Sequence, residues 1–392
     1  MATKYLKTDQ LPAFLESLAQ NARVIAPIKT DGVVQFEPWA SGKEVELDVL
    51  LAKQSPKEFI FCQCETYLKF DYRMEEPEES AATSDASTAA NAEGEADGAT
   101  VAIPHETVEV EALNEAPAQV IFGLRPCDAR GFVQTDRVFG GYGGFYYDPF
   151  YNARREATTL LAVACAAPRS TCFCTALGGS PVGEEGADAL FTPVEGGFVV
   201  EALTEKGTAA LSGFGGLSEA SEAQGKAATE VKEQAIGKVE TPFTEADLPS
   251  IRDNLQANIE KEQWQDMAMR CFSCGTCTYV CPVCYCFSIN DSIVETKGER
   301  YRIWDNCFNP LYTEETSGHN ARAGKSNRFR NRFSHKFWYY PDKYDSLLCS
   351  GCGRCITNCP TRIDIREVIK VMGSADPAAA LGAPAASEGK EA

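Results

Sequence analysis

Two copies of one cysteine pattern carry the clearest chemistry in this 392-residue chain. The run C-x2-C-x2-C-x3-C-P appears as Cys271, Cys274, Cys277, Cys281, Pro282 and again as Cys349, Cys352, Cys355, Cys359, Pro360. Three closely spaced cysteines wrap one tight loop around three irons of a [4Fe-4S] cube, and the fourth iron must be reached from elsewhere. In two-cluster proteins of this pattern the last cysteine of each run crosses to the other cube, and the following proline turns the chain away. The spacing predicts one cluster on Cys271, Cys274, Cys277 and Cys359, and a second on Cys349, Cys352, Cys355 and Cys281. Structural zinc is the competing use, but its sites pair two C-x2-C hooks and do not need a third close cysteine ended by C-x3-C-P.

Nine of the 17 cysteines lie outside these runs. Cys127 follows an apolar run, Val120 to Leu124, and Cys165 follows another, Leu160 to Ala164. If the two runs are parallel neighbours in a sheet, both thiols sit at its carboxyl edge, where α/β folds build sites. Cys172 and Cys174 come just after, so four thiols converge and a third cubane is expected; burial as small hydrophobes is the alternative. Cys284, Cys286 and Cys307 are read as packing or supporting thiols near the first motif, with extra ligands or a reactive thiol set as the other uses. Cys62 and Cys64 form a C-x-C too weak to carry a claim.

Holding these residues requires an α/β amino-terminal region followed by a mainly α-helical dicluster ferredoxin domain. The expected organisation is an α/β segment over 1–74, an acidic disordered insertion over 75–104, an α/β domain with the third site over 105–214, a linker over 215–243, the helical two-cluster domain over 244–372 and a disordered tail over 373–392. Thr8 is placed to cap a helix burying Leu11, Phe14, Leu15 and Leu18, and Asp31-Gly32 turns into a strand. Residues 75–100 hold eight acids and no Lys or Arg, too little apolar surface to order a chain. The two motifs start 78 residues apart. The insert between them carries Trp304, Phe308, Phe329, Phe333, Phe337 and Tyr340, apolar enough to cover two cubes. It also concentrates Arg322, Lys325, Arg328, Arg330, Arg332, Lys336 and Lys343, read chiefly as local balance for the clusters' negative charge and alternatively as a docking patch.

The whole chain has 37 basic and 56 acidic residues and a formal charge of -19. That balance excludes generic nucleic-acid binding, which rests on basic surfaces. Cysteine abundance without a secretory leader or a long apolar run points to a reducing, cytoplasmic setting and no membrane span.

Taken together, Gly123-Leu-Arg-Pro-Cys-Asp128, Asp148-Pro-Phe-Tyr151 with Arg154-Arg155, Cys165 with Cys172-Phe-Cys174, Cys281-Pro-Val-Cys-Tyr-Cys286, Trp304-Asp-Asn-Cys307, Gly318-His-Asn320 and Arg328-Phe-Arg-Asn-Arg332 resemble a known family. It is that of the 4Fe-4S dicluster proteins typified by the beta subunit of sulfhydrogenase and its counterpart in anaerobic sulfite reductase; related subunits accompany heterodisulfide reductases. The resemblance spans about residues 118–372. It implies a non-catalytic electron-transfer subunit of an anaerobic hetero-oligomeric complex, passing electrons between a flavin/NAD(P)-binding partner and a terminal catalytic subunit of hydrogenase, sulfite reductase or heterodisulfide reductase type.

The chain's own residues agree with a relay: no G-x-G-x-x-G opens a helix after a strand, no phosphate loop is present, and there are three histidines. The alternative is a catalytic disulfide or sulfur-species reductase using Cys284, Cys286 and Cys307. An iron-sulfur DNA sensor is disfavoured by the acidic charge.

Overall fold

The computed structural model describes residues 3–47, 51–75, 105–239 and 241–382. Most of the acidic insertion, residues 76–104, and the last ten residues of the tail therefore lie outside the described residues. In chain order the strands are β1 (Lys4–Lys7), β2 (Arg23–Thr30), β3 (Val33–Pro38), β4 (Cys64–Glu75), β5 (His105–Ala112) and β6 (Gln119–Leu124). They continue with β7 (Thr158–Val163), β8 (Ala189–Val194), β9 (Gly197–Ala202), β10 (Ser218–Glu219), β11 (Phe287–Val294) and β12 (Lys297–Trp304).

The chain divides into two compact units, one made of residues 1–63, 115–288 and 304–392, the other of 64–114 and 289–303. The larger unit holds an eight-stranded sheet in the order β10-β1-β9-β8-β7-β6-β2-β3. Its centre is parallel, β2 with β6, β6 with β7 and β7 with β8, and its edges are antiparallel. Both faces are covered, so side chains alternate between two cores. Ile25, Ile121, Leu160, Ala162 and Leu190 face one, while Val24, Val120, Phe122, Leu161 and Phe191 face the other.

The helix Leu11–Ala19 buries the four residues expected of it. Thr8 does not cap it; a 3-10 turn over Thr8–Gln10 leads in, and Pro12 supplies the first-turn geometry. Asp148 does cap the helix Pro149–Glu156, accepting from the amides of Phe150 and Tyr151 at 3.0 Å. The stretch read as a linker contains a 16-residue helix, Glu222–Gly237, opened by a Ser221/Gln224 capping box. Within the expected tail, Pro377–Gly382 forms a short helix.

Residues 105–214 and 244–372, separated in the sequence reading, contribute to shared cores in this unit. Val283, Tyr340 and Tyr344 pack in one face core of the sheet, and Phe173 packs with Trp264, Phe329, Phe333, Phe337 and Ile365. Helix Pro126–Phe139 brings them together. A Cβ on Gly131 would stand 3.0 Å from Pro282, and Gln134 Nε2 donates to the carbonyls of Leu347 and Cys349. Only packing across the chain, absent from local sequence pattern, joins these segments.

The smaller unit is a four-stranded sheet in the order β11-β12-β4-β5. Arg302 and Glu65 form a buried ion pair of 2.8 Å within it, with the guanidinium over the Tyr67 ring. Its hairpin β11–β12 arises inside the insert between the cysteine motifs, within the stretch expected to be mainly α-helical. The turn is a two-residue Glu295-Thr296, with Glu295 at φ 58°, and it lacks the Gly or Asn that normally announces such a turn.

Candidate iron-sulfur centres

The two motifs are built alike. Two residues after the first cysteine of each, Ser273 and Gly351 have φ of 56° and 66°; two further on, Gly275 and Gly353 have 71° and 72°. A short helix follows in both, Thr276–Tyr279 and Arg354–Thr357. Left-handed residues curl the loop so that backbone amides turn inward. Ser273 N donates to Cys271 Sγ at 3.4 Å, and Ile363 N donates to Cys359 Sγ at 3.3 Å.

Cys271, Cys274, Cys277 and Cys359 line one cavity, walled by Phe308, Phe329 and Phe333. Cys281, Cys349, Cys352 and Cys355 line a second beside Phe173. Each cavity takes the last cysteine of the other run, and Cys355 also lines the first. Arg332, Cys355 and Ile365 border both cavities, so few side chains separate them. Cys274 is exposed, and Met269 and Phe272 close to it are 72% and 73% exposed. One end of the pair is therefore open to solvent.

The donor set fits cubes better than single ions. Among the described residues no three Cys, His, Asp or Glu side chains converge as ligands for one metal ion; the thiols instead surround cavities, as a cube with an iron at alternate corners requires. Burial pushes Cys352 up to about 12 and Cys349 and Cys271 upward, whereas hydrogen bonding from Cys284, with Lys336 and Arg332 close by, holds Cys281 well below the ordinary thiol value. The raised thiols are neutral until a cluster deprotonates them, so loading them releases protons.

Two cations reach the sulfurs. Arg332 donates from Nε to Cys277 Sγ at 3.2 Å and from Nη2 to the Cys277 carbonyl. Lys336 Nζ stands 3.6 Å from Cys281 Sγ and donates to the Leu348 carbonyl. Burial opposes the charge on each, but the surrounding thiolates outweigh it and raise both pKa values. The local role read for the basic insert thus falls on these two. Arg328 binds the carbonyls of Arg322 and Ala323, and Arg330 binds the Ile259 carbonyl and the Glu260 side chain, tying down backbone away from sulfur.

A signal for this was present. Arg328, Arg332 and Lys336 recur every four residues beside Phe329, Phe333 and Phe337, which sets cations and aromatic rings on adjoining helical stripes. The helix Lys325–Ser334 runs into a π-helical turn, His335–Tyr339, a distortion common at functional sites.

Cys127 occupies the first turn of helix Pro126–Phe139, and Cys165 closely follows β7. Because β6 and β7 are parallel neighbours, both lie at the same sheet edge. Cys127 and Cys174 line a cavity with Arg130 and Ser350. Cys165 and Cys172 are not part of that lining, but Cys174 is electrostatically linked to both, and Cys165 to Cys127. Burial pushes Cys165 to about 11 and Cys174 to about 12.

This group backs onto the second motif. Phe173 N donates to the Gly351 carbonyl at 2.8 Å, and a Cβ on Gly351 would stand 2.5 Å from Cys174 N and Cα. Arg354, between Cys352 and Cys355, forms a bidentate pair with Asp128, both about 1% exposed.

Cys284, Cys286 and Cys307 lie together beside the first motif and line none of these cavities. Cys64 opens β4 in the smaller unit and is exposed, while Cys62 is half-buried in the larger.

Residues 270–363 match a family model described as a 4Fe-4S dicluster domain, and residues 239–284 match another of the same description. Residues 239–363 thus carry the 4Fe-4S dicluster pattern. This dicluster protein is similar over 369 residues, at 26% identity, to the sulfhydrogenase 2 subunit beta of Pyrococcus furiosus, covering 93% of this chain and 96% of the relative. It is an iron-sulfur, electron-transfer protein of oxidoreductase type. No helix among the described residues is long and apolar enough to cross a membrane.

Proposed function

We propose that this dicluster protein is the electron-relay subunit of a cytoplasmic, sulfhydrogenase-like redox complex. It joins a flavin/NAD(P)-binding partner to a terminal catalytic subunit. The observation that carries the reading is the contiguity of three thiol groups. Cys271, Cys274, Cys277 and Cys359 share bordering side chains with Cys281, Cys349, Cys352 and Cys355, and the latter's loop rests on Cys174. We assign a [4Fe-4S] cluster to each of the first two sets and a third to Cys127, Cys165, Cys172 and Cys174.

Each cluster supplies storage for one electron when bound. The chain's residues do the rest. Thiolates hold the groups, the aromatic walls exclude water, and Arg332 and Lys336 offset negative charge, which favours the reduced state. Exposed Cys274 with Met269 and Phe272 makes the port at one end, and the α/β sheet edge carries the other. The relative's name, a beta subunit, fits a complex in which the relay is one component of several.

The test uses anaerobically purified protein. A Cys172→Ser, Cys174→Ser variant should drop from about 12 to about 8 iron per chain and keep the signals of the other two clusters. Unchanged iron content would remove the third site. Intrinsic reduction of sulfite, disulfide or polysulfide by the chain alone, given an artificial donor, would overturn the relay reading.

A further inference from the structure

We propose that Cys286 and Cys307 form a redox-active thiol pair that exchanges two electrons with the clusters by making and breaking a disulfide. This deepens the relay reading and rests on it. The chain leaves Cys286 through β11 and returns through β12, and Asp305 N donates to the Cys286 carbonyl at 3.0 Å. That closure sets the two cysteines side by side, with the Cys307 thiol hydrogen-bonded to the Cys286 sulfur. Asn306 holds the second loop, its side-chain carbonyl accepting from Phe308 N at 3.0 Å and its amide donating to the Tyr279 hydroxyl.

Both sulfurs of this hydrogen-bonded pair lie outside the assigned cluster sets, unlike the Cys284 thiol, whose partner is the assigned ligand Cys281. Cysteines on a cube stand apart around its volume; cysteines poised for a disulfide approach one another. Neither Cys286 nor Cys307 lines any of the three cavities. Both belong to the larger unit, where hydrogen bonding by Cys307 and by the Tyr312 hydroxyl pulls Cys286 down to about 7 against its burial. A partly ionised nucleophile facing a neutral thiol is the arrangement that thiol-disulfide chemistry uses.

The connection to the relay is short. Cys286 is five residues from Cys281, and between them the Cys284 thiol is hydrogen-bonded to Cys281. Lys57 fixes this segment, donating to the Cys284 carbonyl at 2.8 Å while lying over the Trp304 ring at 4.2 Å.

In the oxidising direction the Cys286–Cys307 Sγ–Sγ bond forms as the two thiols release two protons and two electrons. The two electrons would be accepted singly by oxidised clusters held on the Cys271 and Cys349 sets, and the protons would go to solvent. In the reducing direction two electrons and two protons return and the bond breaks. The pair thereby couples one-electron carriers to two-electron exchange.

The test needs no variant at first. Full-length protein with clusters intact is poised at a series of potentials, alkylated, digested and mapped by mass spectrometry. Under reducing conditions both residues should be alkylated. On oxidation both should be protected together and appear as one cross-linked peptide, in a transition with the steepness of two electrons. Cys286→Ser should retain full iron content and cluster resonance signals and leave Cys307 alkylated at every potential.

Absence of the cross-link at all potentials where the clusters survive overturns the pair, as does iron loss in the variant, which would make Cys286 a ligand. Cluster signals of the unsubstituted protein, recorded in the same samples, report separately on the relay reading.

Discussion

Replacing Lys336 with Met should lower the midpoint potential of one cluster and leave the other nearly unmoved. The ammonium lies 3.6 Å from Cys281 Sγ and is buried, so solvent screens it little. With the cluster centre about 6 Å from the charge and an effective dielectric of about 20, the interaction is worth about 2.8 kcal/mol. At roughly 1.4 kcal/mol per 59 mV for a one-electron couple, that corresponds to about 120 mV. Reduction adds negative charge beside the ammonium, so its removal penalises the reduced state and the potential falls.

Met keeps the buried aliphatic stem, and Lys336→Arg keeps the charge and should stay near the parent value. Redox titration followed by electron paramagnetic resonance separates the two clusters. Arg332→Met is the companion, because its side chain borders both cavities and should shift both. An unchanged or raised potential in Lys336→Met would refute the electrostatic role. A shift confined to the cluster on Cys271, Cys274 and Cys277 would refute the assignment of Cys281.

Asp128→Ala leaves the Arg354 guanidinium buried without its bidentate partner and should cost about 3–5 kcal/mol, read as an earlier denaturant midpoint for loss of cluster absorbance. Asp128→Leu with Arg354→Met should recover much of that. Gly351→Ala should disturb the second and third sites while sparing the first, because its Cβ would meet Cys174 backbone at 2.5 Å and φ is 66°; iron content with resonance signals resolves this. Burial, aided by Lys336, holds His335 at about 4, below its ordinary value of 6.5. The unfolded chain then binds the extra proton first, so stability is full above about pH 6.5 and falls through the window down to about pH 4. Allowing for part exposure, the loss should reach roughly 2 kcal/mol, and His335→Gln should flatten that slope in denaturation measured across pH.

The amino-acid sequence by itself determined the two cysteine loops and their elements. C-x2-C-x2-C is a local instruction: Ser273, Gly275, Gly351 and Gly353 take left-handed conformations within a few residues of the cysteines. Apolar runs likewise marked β6 and β7, since a strand covered on both faces must be apolar throughout. The turn at Glu295-Thr296 was not legible, because Glu at positive φ is held by the strands on either side of it. Nor did the spacing of Arg328, Arg332 and Lys336 say which of them reaches sulfur.

Tertiary structure alone decided those matters. It set Cys174 against Gly351 and closed Cys286 on Cys307 across a strand hairpin. Each is a contact between residues far apart in the chain. Such contacts depend on how whole elements pack, and the physics that selects them is collective: burial of shared apolar faces and satisfaction of buried charge.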